Sequence, residues 1–112
     1  MRIGTDIEKN CRFKRLLEKK HFMERFFTGS EREYIEKKGY KAACGIFCVK
    51  EALSKAMGCG IFELEWQSVS VEHEKDGRPY LALSGKYEGY RADISISHAD
   101  EYTVAVCLLE GI

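Results

Sequence analysis

The sequence predicts an α+β fold, and three observations support this prediction. Apolar residues recur at the three-and-four spacing of a helix over about residues 42–57. The C-terminal half contains two pairs of alternating segments separated by turn residues, a pattern typical of β-hairpins. A chain of 112 residues with 45% hydrophobic content and one proline suits a single ordered domain over residues 1–112.

The N-terminal part is predicted to contain a short strand and two helices. The strand covers residues 3–7, and a basic helix follows over about residues 9–20. Ser30 and Glu33 have the spacing of a capping box, so we expect a short helix to start there. Gly39 would end this helix shortly after Lys38.

The long helix combines an apolar stripe with a pair of opposite charges. The stripe consists of Ala42, Ile46, Val49, Leu53 and Ala56. Glu51 and Lys55 lie one turn apart on the other side, among the less polar residues Cys44, Phe47, Cys48 and Ser54. We therefore expect a second surface to cover this side. The charged pair is either structural, worth about 0.3–0.5 kcal/mol if exposed, or part of a reaction site.

The C-terminal half is predicted to form two hairpins. Residues 68–74 alternate in polarity, and the turn Lys75-Asp76-Gly77-Arg78-Pro79 leads to a partner strand over residues 80–83. Residues 93–97 and 102–109 form the second hairpin. Residues 104–109 are apolar on both faces, as expected of a strand covered by a helix on one side and by a core or another subunit on the other.

Composition and charge exclude several classes of protein. Eighteen basic and eighteen acidic residues cancel, so the net charge points to neither nucleic acid nor a membrane. Basic residues crowd the first quarter of the chain, which indicates either an acidic partner or a solvated helix face. There is no apolar signal segment, and we expect a cytoplasmic protein. The five cysteines lack paired C-x-x-C spacing, so neither a disulfide framework nor a zinc site is expected.

Asp6, Glu51, Lys55 and His98 are the candidates for chemistry. Asp6 falls at a predicted strand end, and Asp6 with Glu51 could supply the oxygen ligands that Mg²⁺ prefers, although such an aspartate is also common in turns. Lys55 could neutralise phosphate charge or protonate a leaving oxygen. His98 ends a predicted strand, and its side chain is expected on the face that points to the core. It is either a histidine of the core or a residue of the functional site.

Four segments in one order resemble the 4'-phosphopantetheinyl transferases. They are residues 3–8, 47–55, 76–80 and 94–102. The first two match an apolar-Gly-x-Asp motif and an aromatic-x-x-Lys-Glu-x-x-x-Lys motif. The short chain and its Ser-x-Ser-His segment are similar to the holo-acyl-carrier-protein synthase branch. The resemblance implies an antiparallel sheet packed around a long central helix.

The resemblance also implies an activity. It is the transfer of 4'-phosphopantetheine from coenzyme A to a serine of an apo acyl carrier protein, with Mg²⁺ on the pyrophosphate and release of adenosine 3',5'-bisphosphate. Such an enzyme would serve fatty acid biosynthesis or a related pathway. The short members of the family are homotrimers with active sites between subunits, so the same assembly is expected here.

Residue roles follow from the same resemblance. Asp6 and Glu51 hold the metal, Lys55 binds phosphate and assists the leaving group, and Glu51 is the leading candidate to activate the serine. The other residues expected to contact coenzyme A are Ser54, Gly58, Arg78, Pro79 and His98. Those expected to contact the carrier are Arg12, Lys19 and Arg25.

Several positions depart from the family pattern, among them Ala42 and Ala43, which replace bulkier apolar residues. Ile46 stands where the short branch usually has arginine, and Ala99 replaces a usual threonine. The change at Ile46 removes a phosphate-binding or interface charge, and the change at Ala99 removes a hydroxyl that could bind phosphate. They motivate an alternative, a non-catalytic carrier-binding or nucleotide-binding module that has kept the fold and lost turnover.

Overall fold

The computed structural model describes residues 1–111 and confirms the α+β class. The elements are β1 (Arg2–Lys9), α1 (Arg12–Leu16), α2 (Lys20–Phe26), α3 (Gly29–Lys38), α4 (Tyr40–Met57), β2 (Val69–His73), β3 (Pro79–Leu83), β4 (Arg91–Ala99) and β5 (Tyr102–Glu110). Short 3-10 turns occupy Trp66–Ser68 and Gly85–Tyr87. Within this part of the chain, no helix has the length and apolar character needed to cross a membrane.

The strands form two antiparallel sheets on the long helix α4. One sheet has the order β1-β5-β4, and the other is the β2–β3 hairpin. Helix α4 packs mainly against β1 and β5 and also touches β2 and β4. Both predicted hairpins are confirmed. The pairing of β1 with β5, which sets Asp6 opposite Ala105, was not predicted from the sequence.

The chain itself encloses α4 on nearly every side. Residues 43–50 are all buried, beyond the limits of the predicted stripe. The Cys48 Sγ lies 3.2 Å from the carbonyl oxygen of Asp6, to which it donates, and 3.5 Å from that of Thr103. Phe47 joins an aromatic cluster with Phe13, Phe22, Phe26 and Trp66. The apolar residues near Glu51 are therefore covered by this chain, and no neighbouring subunit is needed to explain them.

The predicted basic helix over residues 9–20 is wrong. Lys9 ends β1, and an extended residue, Lys19, separates α1 from α2. Phe13 and Phe26 both contact Phe47, with ring centroids 5.5 and 5.8 Å away. On one straight helix these two rings would lie about 20 Å apart, at about 1.5 Å per residue. The aromatic cluster therefore requires the chain to turn between Phe13 and Phe26, and it does so between the end of α1 at Leu16 and the start of α2 at Lys20.

The cap of α3 lies two residues before the predicted one. Thr28, not Ser30, is the N-cap, and its capping box is completed by Glu31 rather than Glu33. The Glu31 carboxylate also accepts hydrogen bonds from the Val71 backbone N–H at 2.6 Å and from the Lys50 Nζ at 2.7 Å. Local spacing alone could not identify Glu31 as the capping residue, because Lys50 and Val71 are distant from it in the sequence.

Glu31 and Lys50 form a fully buried ion pair. Both side chains are 0% exposed, and the Lys50 Nζ also donates to the Phe26 carbonyl at 2.9 Å. Burial raises the pKa of Glu31 and lowers that of Lys50, while the attraction between them opposes both shifts. The pair ties α4 to the end of α2, the start of α3 and strand β2.

Strand β1 approaches α4 most closely at Gly4. A Cβ at this position would lie 1.9 Å from the Ala52 carbonyl oxygen and 2.7 Å from the Ala56 backbone nitrogen. Both atoms belong to the helix backbone and cannot move aside as a flexible side chain would. The glycine of the apolar-Gly-x-Asp motif is thus required for the packing that brings Asp6 to α4.

We predict that Gly4→Ala destabilises the fold by about 3 kcal/mol, the upper end of the usual cost of overpacking. Urea unfolding at a fixed protein concentration measures this loss. Gly29→Ala is the matched control, because nothing lies within 4 Å of a Cβ at Gly29. Equal stability of the two variants would contradict the close-approach argument.

We also predict that Lys50→Met costs about 3–5 kcal/mol, because it leaves the Glu31 charge buried without a partner. The double variant Glu31→Gln/Lys50→Met should lose less than the sum of the two single variants, since it buries no unpaired charge. Urea unfolding provides the measurement, with exposed Lys37→Met as the control. Strict additivity would argue against coupling within the pair.

Candidate functional site

Asp6, Glu51 and Lys55 come together in the structure. Asp6 is 9% exposed, and its Oδ1 lies 3.2 Å from the Lys55 Nζ. Burial and then the charge of Asp6 raise the pKa of the half-buried Glu51, while Lys55 lowers it. Within residues 1–111, Lys55 forms its ion pair with Asp6 and not with Glu51. The alternative in which Glu51 and Lys55 merely pair with each other is therefore not observed.

Glu8 is a third carboxylate of this site that sequence reasoning missed. It follows Asp6 by two residues on β1, so strand alternation places both side chains on one face. Burial, followed by the adjacent Asp6 carboxylate, raises the pKa of Glu8 to about 7. Arg12 partly opposes this shift through an ion pair of 2.5 Å. Glu8 lies one residue beyond the predicted strand, which ended at residue 7, whereas β1 continues to Lys9 and keeps Glu8 in step with Asp6.

The donor set suits a hard divalent cation. The Asp6 Oδ2 is buried and has no hydrogen-bond partner in the described residues, so one carboxylate oxygen is left for another ligand. Residues 1–111 contain no group of three or more His, Cys, Asp or Glu side chains arranged to hold a metal. Mg²⁺ does not require one, because one or two carboxylates usually bind it together with water and phosphate.

Arg78, Pro79 and His98 line a separate cavity of about 430 Å³ near the N-terminal half of α4. Asp6, Glu51 and Lys55 are not among its lining residues. From Ile46, at the cavity, to Lys55 the helix advances by about 13 Å, at about 1.5 Å per residue. The predicted coenzyme A residues thus fall into two groups at different levels of the helix.

His98 lies on the α4 side of β4, near Gly45. Its alternation with Ile94 and Ile96 along the strand predicted this side. The residue is nevertheless exposed, so the alternative of a core histidine is wrong. Its Nδ1 lies 2.8 Å from the Thr103 Oγ1, which in turn donates to the Asn10 Oδ1 at 2.6 Å. The single Thr103 proton is used in that bond, so Nδ1–H of His98 is the donor to Thr103. Thr103 and Asn10, both buried, therefore orient the ring.

Ser54 and Gly58 lie close to Lys55 but differ in exposure. Ser54 is 2% exposed, and its hydroxyl donates to the Glu51 carbonyl at 2.7 Å. Its proton is thus already used within the helix. Gly58 is exposed and ends α4 in the left-handed conformation, with φ of 76°.

The three predicted carrier-contacting residues are exposed on the N-terminal helices and their junction. Arg12 belongs to α1, Lys19 lies between α1 and α2, and Arg25 belongs to α2. Arg25 also stacks over the rings of Phe26 and Phe62, at 5.4 Å from each. Phe62 is 79% exposed, so this basic surface includes an apolar group.

Comparison with known families identifies the fold. Residues 2–107 match the family model described as the 4'-phosphopantetheinyl transferase superfamily. The chain belongs to this superfamily. It is 38% identical to the holo-[acyl-carrier-protein] synthase of Caldanaerobacter subterraneus, over 97% of this chain and 94% of that protein. It is also 38% identical to the synthase of Chloroherpeton thalassium, over 98% of each.

Solved structures of transferases with similar folds cover almost the whole chain. The holo-(acyl-carrier-protein) synthase from Bacillus anthracis, in complex with CoA (3',5'-ADP), has a TM-score of 0.84 and 34% identity, covering 99% of this chain and 96% of that one. The Helicobacter pylori enzyme in complex with coenzyme A has a TM-score of 0.82 and 30% identity, covering 96% and 99%. These matches confirm the predicted transferase-like fold.

One departure from the transferase pattern, Ile46, lies in the cavity wall. Ile46 lines it and is 2% exposed, so an apolar side chain occupies the position where arginine is usual. Ala99 is exposed at the end of β4. The hydroxyl that contacts His98 belongs to Thr103, its cross-strand neighbour.

Proposed function

We propose that this transferase is a holo-acyl-carrier-protein synthase. It transfers 4'-phosphopantetheine from coenzyme A to a serine of an apo acyl carrier protein and releases adenosine 3',5'-bisphosphate. The observation that carries the proposal is the meeting of Asp6, Glu51 and Lys55 in a chain of this superfamily. Full-length relatives named holo-[acyl-carrier-protein] synthase support it.

Asp6 and Glu51 are the residues that would hold Mg²⁺. When bound there, the ion would neutralise negative charge on the pyrophosphate and on the departing phosphate. The free Asp6 Oδ2 and the half-buried Glu51 support this assignment. Lys55, whose side chain is 54% exposed, is able to reach the phosphate as well as Asp6.

Glu51 accepts the proton of the carrier serine in the proposed reaction. The serine oxygen forms a bond to the phosphorus that carries pantetheine, and the bond from that phosphorus to the bridging oxygen of the pyrophosphate breaks. The electron pair leaves with adenosine 3',5'-bisphosphate, whose charge Lys55 stabilises. A carboxylate with a raised pKa is a better proton acceptor than an ordinary one, as Glu51 requires.

The basic surface formed by Arg12, Lys19 and Arg25 is the proposed docking site for the acidic carrier. These side chains lie at or near the surface that adjoins the acidic site, since Arg12 contacts Glu8 directly. Opposite charges at such a surface mainly raise the association rate and fix orientation. The identity of the carrier, a role in fatty acid biosynthesis and the cytoplasmic location remain predictions.

A homotrimer with sites between subunits is also part of the proposal. The face of the β1-β5-β4 sheet turned away from α4 exposes Ile3, Ile7, Val104 and Leu108, by 69, 60, 38 and 38%. Ile3 is paired with Leu108 and Ile7 with Val104, so the four form one apolar patch. A contiguous apolar patch on a sheet favours burial against another copy. The division of coenzyme A residues between two places fits sites completed by a neighbour.

A non-catalytic binding module is the second candidate function. The loss of charge at Ile46 and of a hydroxyl at Ala99 favours it. Against it stand the three groups needed for transfer, which are present and in contact range. Formation of product separates the two candidates.

We predict that Glu51→Gln lowers transfer at least about 100-fold, the usual contribution of one general base. Mass spectrometry of an apo carrier incubated with protein, coenzyme A and Mg²⁺ measures the gain of phosphopantetheine, and chelation of Mg²⁺ should abolish it. Exposed Glu88→Gln is the control and should keep full activity. No mass gain with the natural protein across several carriers, including one from the same genome, would overturn the proposed function.

For the assembly, we predict that Ile3→Glu yields a monomer in sedimentation experiments and reduces transfer, because it buries a charge in the sheet-face contact. The natural protein should sediment as a trimer at the same concentration. Ala82→Glu, on the exposed side of β3, provides the matched control. A natural protein that sediments as a monomer at assay concentration would refute the trimer.

A further inference from the structure

Phe62 is a large apolar residue that the fold leaves exposed beside the basic surface. It is 79% exposed, whereas Ile61 before it is partly buried and Leu64 after it is buried. The residue belongs to the segment that connects α4 to the turn at Trp66–Ser68. A single exposed apolar residue needs no explanation by itself, so the surroundings of Phe62 decide whether it has a role.

The backbone that carries Phe62 is held against the core on both sides of the residue. The Trp66 Nε1–H donates to the Ile61 carbonyl at 2.7 Å, and Trp66 itself is buried in the aromatic cluster. The Leu64 backbone N–H donates to the Gly60 carbonyl at 3.2 Å, which closes the segment into a turn. A partner that covers the Phe62 ring would therefore lose little affinity to the ordering of this segment.

The Arg25 guanidinium connects Phe62 to the basic surface. Its central carbon lies 5.4 Å from the ring centroids of both Phe26 and Phe62. Phe26 is buried in the core, so the same cation contacts a core ring and an exposed ring. The end of α2 is also fixed, because the Gln67 side chain donates to the carbonyl oxygens of Arg25 and Phe27 at 3.3 and 3.0 Å.

The surface around Phe62 therefore combines one apolar ring with exposed cations. Lys19 and Arg25 are exposed, and neither forms an ion pair within residues 1–111. The adjacent Glu63 carboxylate accepts a hydrogen bond from the Gly60 backbone N–H at 3.2 Å, so it is engaged within its own turn. This combination fits a partner that carries an apolar side chain among its carboxylates.

We propose that Phe62 is the apolar anchor of the carrier beside the basic surface and a determinant of carrier specificity. This inference rests on the proposed function, which makes an acidic carrier the occupant of that surface. The cations attract and orient the carrier, and the Phe62 ring then contacts an apolar side chain of the carrier. Exposed cations favour this partner over the uncharged pantetheine chain, and a second copy is assigned to the sheet face of Ile3 and Leu108.

Calorimetric binding of the apo acyl carrier protein from the same genome tests this role. Phe62→Ala should weaken binding about tenfold, as truncation of an anchor residue does. Phe62→Lys adds a positive charge, so a purely electrostatic surface would bind the acidic carrier more tightly. Loss of an anchor should instead weaken binding in spite of the added charge. Tyr80→Ala removes an exposed ring from β3 and is the matched control, which should bind as the natural protein does.

Steady-state transfer and raised salt separate docking from the other steps. In Phe62→Ala the KM for the carrier should rise about tenfold, while kcat and the KM for coenzyme A stay within about twofold. Salt should weaken carrier binding by both proteins, but their affinity ratio should stay constant, because an apolar contact is not screened. The urea midpoint of Phe62→Ala should stay close to that of the natural protein, since the side chain is exposed.

Four results would overturn the role of Phe62 while transfer by the natural protein is retained. They are unchanged carrier binding by Phe62→Ala, tighter binding by Phe62→Lys, a rise in the KM for coenzyme A alone, and a smaller assembly of Phe62→Ala in sedimentation. The third would assign the ring to the pantetheine chain, and the fourth to a contact between copies. Absence of transfer by the natural protein overturns the proposed function instead, and calorimetry then still decides the role of Phe62. Absence of both transfer and carrier binding overturns both.

Discussion

The structure depends on the close contact between β1 and α4 at Gly4. The backbone of Ala52 leaves no space for a side chain there, so the strand is pressed against the helix two residues before Asp6. Strand β1 also pairs with β5 from Arg2 to Lys9, which prevents it from sliding along the helix. A slip by one residue would turn Asp6 to the opposite face. Packing and register together thus fix the position of the first carboxylate relative to Glu51.

This arrangement concentrates more negative charge than the local cations neutralise. Burial is the first cause of the raised pKa values of Glu8 and Glu51, and repulsion from the neighbouring Asp6 carboxylate adds to it. Such a cluster is unfavourable in an empty protein and becomes favourable when a cation binds, which is typical of functional sites. The rigidity needed to hold it comes from elsewhere, chiefly from the enclosed α4 and its buried Lys50.

Much of this could be predicted from the sequence, and the failures have physical causes. Periodicity and turn residues were sufficient for α4 and both hairpins, because these elements are specified locally. Spacing alone did not bring Asp6, Glu51 and Lys55 together; the resemblance of their two segments to the transferase motifs did. The break between α1 and α2 was missed because it is imposed by Phe47, which lies far along the chain. From the sequence alone Lys50 would be expected at the surface, because its buried partner Glu31 is brought close only by the tertiary fold.

The orientation of His98 bears on where the cavity obtains its positive charge. Because Thr103 donates its only proton to Asn10, the Nδ1 of His98 carries hydrogen and the ring's other nitrogen is left for a ligand. In a neutral ring that nitrogen is an acceptor, so it would face a phosphate oxygen without a proton between them. Lys41 and Arg78 are the other cationic side chains at the cavity that carry no imidazole, so its positive charge does not depend on the protonation of this ring.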